Sequence, residues 1–186
     1  MSTPLIELQN AGKNYLNYSF NISIKEGSCL LVHGKNGSGK TTLIHLLLGF
    51  VKPDFGKVIK KNMIVNYLSE KVMLPLYIKV IDYLENMAKI KRGEVDYNLL
   101  YNFKIPLFKG IHQLSKGNQQ KLALATTMMG QAKLFILDEP LSGLDEESIN
   151  VLFNKIKSLK EEGSSFVIST HQPYRFLSII DETLEL

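Results

Sequence analysis

The chain has 186 residues, 45% of them hydrophobic and 22% charged, a balance that suits one ordinary folded domain and excludes wholesale disorder. A single cysteine, Cys29, excludes an intrachain disulfide. The net charge of +4 is spread over scattered lysines, with Arg92 and Arg175 the two arginines, and reads as a solvated surface rather than a nucleic-acid-binding face.

In chain order, residues 5–9 and 20–24 alternate as half-buried strands do, and residues 29–33 form an apolar run fit for a buried strand. Residues 41–49 read as a helix stopped by Gly49 and Pro53, and 63–68 as another strand. Three helices are predicted over 80–91, 95–103 and 116–129. Strand 134–137, helix 146–162 and strand 166–169 follow, and 182–186 leaves room for a last strand. This order predicts an α/β fold with a parallel sheet and a helical insertion at about 71–130. The longest apolar-rich segment, 41–51, is about half of the roughly 20 residues a membrane-spanning helix needs, and residues 1–10 carry no basic-then-apolar leader. The expectation is a cytoplasmic chain with no direct membrane insertion, reaching a membrane only by docking on another protein.

Gly34, Lys35, Asn36, Gly37, Ser38, Gly39, Lys40 and Thr41 fit G-x-x-x-x-G-K-[ST] between a predicted strand and a predicted helix. The glycines let the backbone bend until several N–H groups face one phosphate, and the following helix adds its positive end. Lys40 supplies a point charge for β- and γ-phosphates, Thr41 a hydroxyl for Mg²⁺, and Thr42 a further contact. A glycine turn before an ordinary helix is the plainer reading, and the strand–loop–helix context weighs against it.

Leu134-Phe-Ile-Leu-Asp138-Glu139-Pro140 delivers two acids at the carboxyl end of a buried strand, where open α/β sheets bind ligands. Asp138 is the expected partner of Mg²⁺, and Glu139 is placed to polarise an attacking water. Pro140 is expected to hold Glu139 in an extended backbone. Alone, the pair is equally a turn-forming sequence; beside the phosphate loop it makes one coherent chemistry.

Four further stretches join these and resemble the ATP-binding cassette (ABC) family. Leu114-Ser-Lys-Gly-Asn-Gln-Gln-Lys121 resembles its signature, and Leu141-Ser-Gly-Leu-Asp145 its D-loop. His171, after a predicted strand, resembles its switch histidine, and Tyr15 the aromatic that stacks on adenine. The resemblance implies a P-loop NTPase core with a mostly parallel sheet, an N-terminal antiparallel β subdomain and a short helical insertion, in one domain over 1–186. It implies hydrolysis of ATP with Mg²⁺, with Glu139, His171 and Lys40 catalytic. Ser115, Gly117 and Asp145 would meet ATP across a homodimer, and a separate transmembrane permease subunit would be the partner. Plainer readings stand beside these. Ser115 serves as a helix cap, Asp145 with Glu146 and Glu147 suits a helix N-terminus, and His171 is a loop histidine. One of Tyr15, Tyr18 and Phe20 belongs to the core. His33, His45 and His112 have no metal-ligand spacing, so no zinc site is expected.

Two departures stand out. Glu70 lies where the family has glutamine; a carboxylate reaches Mg²⁺ directly or through water, so Glu70 joins Thr41 and Asp138 as an expected metal ligand. The signature has Lys116 for its first glycine and Asn118 for its glutamine. In the family, the region holding Val72-Met-Leu-Pro-Leu-Tyr-Ile78 receives a coupling helix, which makes this stretch either a partly exposed apolar patch or ordinary core. Glu70 and the signature together resemble exporter ATPases. The alternative function is a soluble ABC-type ATPase acting in assembly or remodelling. The short stretch after His171 predicts dependence on a second copy and on a separate membrane subunit.

Overall fold

The computed structural model describes residues 3–186. Strands β1 (Ile6–Gly12), β2 (Phe20–Ile24) and β3 (Cys29–His33) lead into helix α1 (Lys40–Leu48). Then come β4 (Phe55–Lys60), β5 (Val65–Leu68), α2 (Val80–Ile90), α3 (Tyr97–Asn102) and α4 (Lys116–Thr127). The chain closes with β6 (Leu134–Asp138), α5 (Glu146–Glu161), β7 (Ser165–Thr170) and β8 (Glu182–Glu185). Short 3₁₀ turns at Ile111–Gln113 and Pro173–Phe176 were not expected from the sequence.

Five strands form a parallel sheet in the order β5-β6-β7-β3-β8. Its middle strands are buried on both faces, which is why β3, β6 and β7 read as apolar runs rather than alternations. Alternate residues still go to opposite sides. Leu31, Phe135, Leu137, Phe166 and Ile168 join the core cluster that packs against α2 to α5. Leu30, Val32, Leu134, Ile136 and Val167 join the cluster shared with α1 and the second sheet. That second sheet is antiparallel, in the order β2-β1-β4.

Register matters most for function. His33 pairs with Thr170, and Asp138 with Ser169, so β3, β6 and β7 end level with one another. The segments that follow these strands therefore emerge at one edge of the sheet, the edge where open α/β sheets hold ligands.

The boundaries differ from expectation for local reasons. β1 runs on to Gly12 through an irregularity after Leu8, where Asn10 takes a φ of 46°. β4 was not anticipated, because its residues are exposed on both faces apart from the half-buried Val58. α3 starts at Tyr97 rather than 95, because the Asp96 side chain accepts from Leu99 N at 2.9 Å and caps the helix there. α4 ends at Thr127 and α5 at Glu161, each a residue or two early. The stretch 72–78 divides between the two readings: Val72 and Leu74 pack on the core, whereas Met73 and Tyr77 are almost fully exposed. Among the described residues no helix is long and apolar enough to cross a membrane.

Candidate active site

The loop between β3 and α1 is shaped by Gly39, which takes φ 96° as the residue before the helix. A Cβ there would overlap the Tyr18 hydroxyl, and that hydroxyl donates a hydrogen bond to the Ser38 carbonyl. Tyr18 is itself seated edge-on against buried Phe20. So Phe20 is core, and Tyr18 buttresses the loop, a role no spacing in the sequence indicated. Lys40 Nζ donates to the carbonyls of Gly34 at 2.7 Å and Lys35 at 3.0 Å, holding the ammonium across the loop.

A cleft of about 290 Å³ opens beside this loop and brings together Tyr15, Asn36, Gly37, Gly39, Lys40, Thr41, Thr42, Glu70, Asp138, Glu139 and His171. Tyr15 is 68% exposed at its mouth, its hydroxyl 3.3 Å from Thr42 Oγ1, so the ring face is open to a flat ligand. Asp138 is buried and accepts from Ser169 Oγ. Burial pushes its carboxyl up from its ordinary value, against the pull of the Ser169 hydroxyl and of Lys40. Burial likewise pushes Glu139 up, opposed by nearby His171, and a carboxylate of raised basicity suits proton abstraction. His171 Nε2 lies 3.4 Å from Glu139 Oε1, within ion-pair reach, yet that oxygen is buried without a hydrogen-bond partner.

The expected extended backbone at Glu139 is corrected: its φ is 49°, in the left-handed region. Its N–H donates to the Ser169 carbonyl at 3.1 Å, and its carbonyl accepts from Ser142 N at 3.2 Å. These bonds override the preference imposed by Pro140. A non-glycine residue held there stores on the order of 1–3 kcal/mol of strain, typical of functional positions.

A family model described as ABC transporter matches residues 18–142, and one for an AAA domain matches 109–176. The chain belongs to the ABC transporter family. It is 33% identical to an ABC transporter ATP-binding protein of Methanocaldococcus jannaschii, over 98% of this chain and 74% of that one. It is 30% identical to the lipoprotein-releasing system ATP-binding protein LolD of Buchnera aphidicola, over 93% of this chain and 90% of that protein. It is also 30% identical to the zinc import ATP-binding protein ZnuC of Wigglesworthia glossinidia brevipalpis, over 93% and 77% respectively. A solved ATP-binding subunit of an ABC transporter shares its fold, with a TM-score of 0.86 over 98% of this chain and 85% of that one, at 23% identity. The protein is thus an ABC-type ATP-binding subunit and an ATPase, built on the P-loop NTPase fold.

Of the residues named from the sequence, Gly34, Lys35 and Ser38 belong to the loop but do not line the cleft, and Ser115, Gly117 and Asp145 lie outside it on other elements. Ser115 caps α4, accepting from Asn118 N at 3.2 Å. Gly117 sits in the first turn of that helix, with exposed Lys116 beside it. Asp145 caps α5 through Oδ1, which accepts from Ser148 N at 2.8 Å and Ser148 Oγ at 2.6 Å. These bonds and the ammonium of Lys121 hold its carboxyl well below the usual carboxylate range. The capping duties are therefore real structure, and they leave the α4 terminus open. Sequence reasoning missed Ser169; its one trace was a small polar residue at the end of an otherwise apolar strand.

Proposed function

We propose that this ABC ATPase binds ATP–Mg²⁺ in the cleft and works as half of a head-to-tail homodimer that drives a separate transmembrane permease subunit at the cytoplasmic face of a membrane. The observation that carries this reading is a separation. Lys40, Thr41, Asp138, Glu139 and His171 share one cleft, whereas Ser115 and Gly117 lie elsewhere. A signature segment outside its own cleft meets a nucleotide through a second copy.

The residues fit the metal as well as the nucleotide. Glu139 Oε1 is a buried oxygen without a hydrogen-bond partner, and the same cleft offers the hard oxygens of Thr41, Glu70 and Asp138 beside the nitrogens of Lys40 and His171. Among the described residues no group of three or more His, Cys, Asp or Glu side chains is arranged to hold a metal by itself, which suits an ion that keeps substrate and water oxygens. Thr41 and Asp138 would hold it, with Glu70 close by, and when bound Mg²⁺ would supply neutralisation of phosphate charge. The loop from Gly34 to Gly39 turns its N–H groups to the phosphates, and Lys40 adds its charge. Tyr15 offers its ring to the adenine. Glu139 orients water and accepts its proton, while His171 steadies the carboxylate. Ser115, Gly117 and Asp145 complete the site of the opposite subunit.

For the permease, a groove of about 830 Å³ runs between α3 and α5, walled by Leu100, Tyr101, Ile105 and Val151. Exposed Met73, Tyr77 and Phe108 add apolar surface to the segment between β5 and α4. We assign the direction of transport to the membrane subunit rather than to an exporter character of this chain, because the relatives named above serve both lipoprotein release and zinc import. Copurification tests the reading. The tagged chain should bring down a polytopic membrane protein, and Y101E should lose it while keeping ATP hydrolysis. Recovery of soluble partners alone would instead favour an assembly ATPase.

A further inference from the structure

The first turns of α4 and the loop from Pro140 to Asp145 are fastened at three points. Lys121 Nζ donates to Asp145 Oδ2 at 2.9 Å, with the lysine side chain only 9% exposed. Gln120 Nε2 donates to the Pro140 carbonyl at 3.3 Å. Gly117 and Gly143 pack backbone on backbone: a Cβ on Gly117 would lie 2.7 Å from the Gly143 carbonyl oxygen.

The lysine is the informative member. Its neighbours Leu122, Ala123 and Leu124 are buried and apolar, so packing alone would be met by an apolar residue. Asp145 does not need the lysine for capping, because its other oxygen already serves Ser148. A buried ammonium separated from its carboxylate is strongly unfavourable. Helix α4 therefore cannot slide against the loop without stranding Lys121.

We propose that Lys121 is a positioning residue for ATP hydrolysis: it locks the signature segment, Ser115 to Gly117, to the loop that follows Glu139, so that the two move as one body. The inference rests on the reading that the signature completes the site of a second subunit. Under that reading, docking of the signature on the partner's nucleotide is transmitted to this chain's own Glu139 loop. The two sites of a dimer are then coupled through Lys121.

K121M tests it. Methionine keeps the length and volume, and Asp145, 62% exposed and still capped, is left in contact with water, so the fold persists. KM for ATP should change by less than about two-fold, because the phosphate loop is untouched, while kcat falls roughly 10- to 100-fold through misplacement of the Glu139 loop. Cooperativity in ATP should disappear, and K121R should restore both. A wild-type kcat in K121M, or a parallel fall of kcat, affinity and melting temperature that K121R leaves unrescued, would overturn the proposal. If K121M does not accumulate folded, hydrogen exchange on the wild-type protein decides. Residues 116–121 and 141–145 should open in one step, and two separate openings would refute the lock. E139Q separates the levels: an E139Q that dimerises in ATP–Mg²⁺ beside a fully active K121M removes only the coupling, whereas an E139Q that stays monomeric in ATP–Mg²⁺ removes the underlying reading.

Discussion

Gly39→Ala offers a sharp test of how the phosphate loop holds its shape. Gly39 has φ 96°, and an alanine forced toward the left-handed region costs about 1–2 kcal/mol. Its Cβ would also overlap the Tyr18 hydroxyl, so Tyr18 must move and release the Ser38 carbonyl, a net loss of about 1 kcal/mol. The expected cost is about 2–3 kcal/mol, a large share of the 5–15 kcal/mol that typically holds a domain together. In a Tyr18→Phe background both the overlap and the hydrogen bond are already gone. There G39A should cost about 1–2 kcal/mol, the backbone part alone. Urea unfolding of the four proteins in the cycle measures the difference. An equal cost of G39A in both backgrounds would refute the buttress, and a cost below about 0.5 kcal/mol would refute the strain as well.

Ser169→Ala removes the hydroxyl that serves Asp138, and should lower kcat by roughly 10-fold while costing about 1 kcal/mol of stability; an unchanged kcat would count against Ser169 as a support of the site. Lys91 predicts a pH dependence. Burial pulls its ammonium down to about 8, whereas in the unfolded chain it titrates near 10.4. Between those values the unfolded state binds more protons, so this group makes stability rise with pH. Lys91→Met should therefore stabilise the protein at pH 7, with the gap to wild type closing as pH rises from about 8 to 10, and a gap that widens over that range would contradict the burial argument.

The phosphate loop and the Asp138–Glu139 pair were legible because their chemistry lies in consecutive residues flanked by apolar runs. Strands β3, β6 and β7 were legible for the same reason: burial on both faces leaves an unbroken apolar signature. β4 was not, since Lys57, Ile59 and Lys60 are all exposed and produce no alternation. The backbone of Glu139 is not legible in the sequence, because Pro140 acts on its predecessor locally, whereas two hydrogen bonds, to Ser169 across the sheet and from Ser142 in the turn, decide the outcome. Ser169, Tyr18 and Lys121 share the reason they escaped notice. Each acts on a partner distant in sequence, and only the parallel register, the seat on Phe20, or the packing of α4 on the loop before α5 brings the two together.

Light scattering of the Glu139→Gln protein, with and without ATP–Mg²⁺, decides whether the nucleotide joins two copies. A nucleotide held between two copies and not turned over gives a chain of 21.0 kDa without nucleotide and a stable species of twice that mass with it. A protein that stays at 21.0 kDa in saturating ATP–Mg²⁺, while the wild type hydrolyses ATP as a monomer, would contradict it.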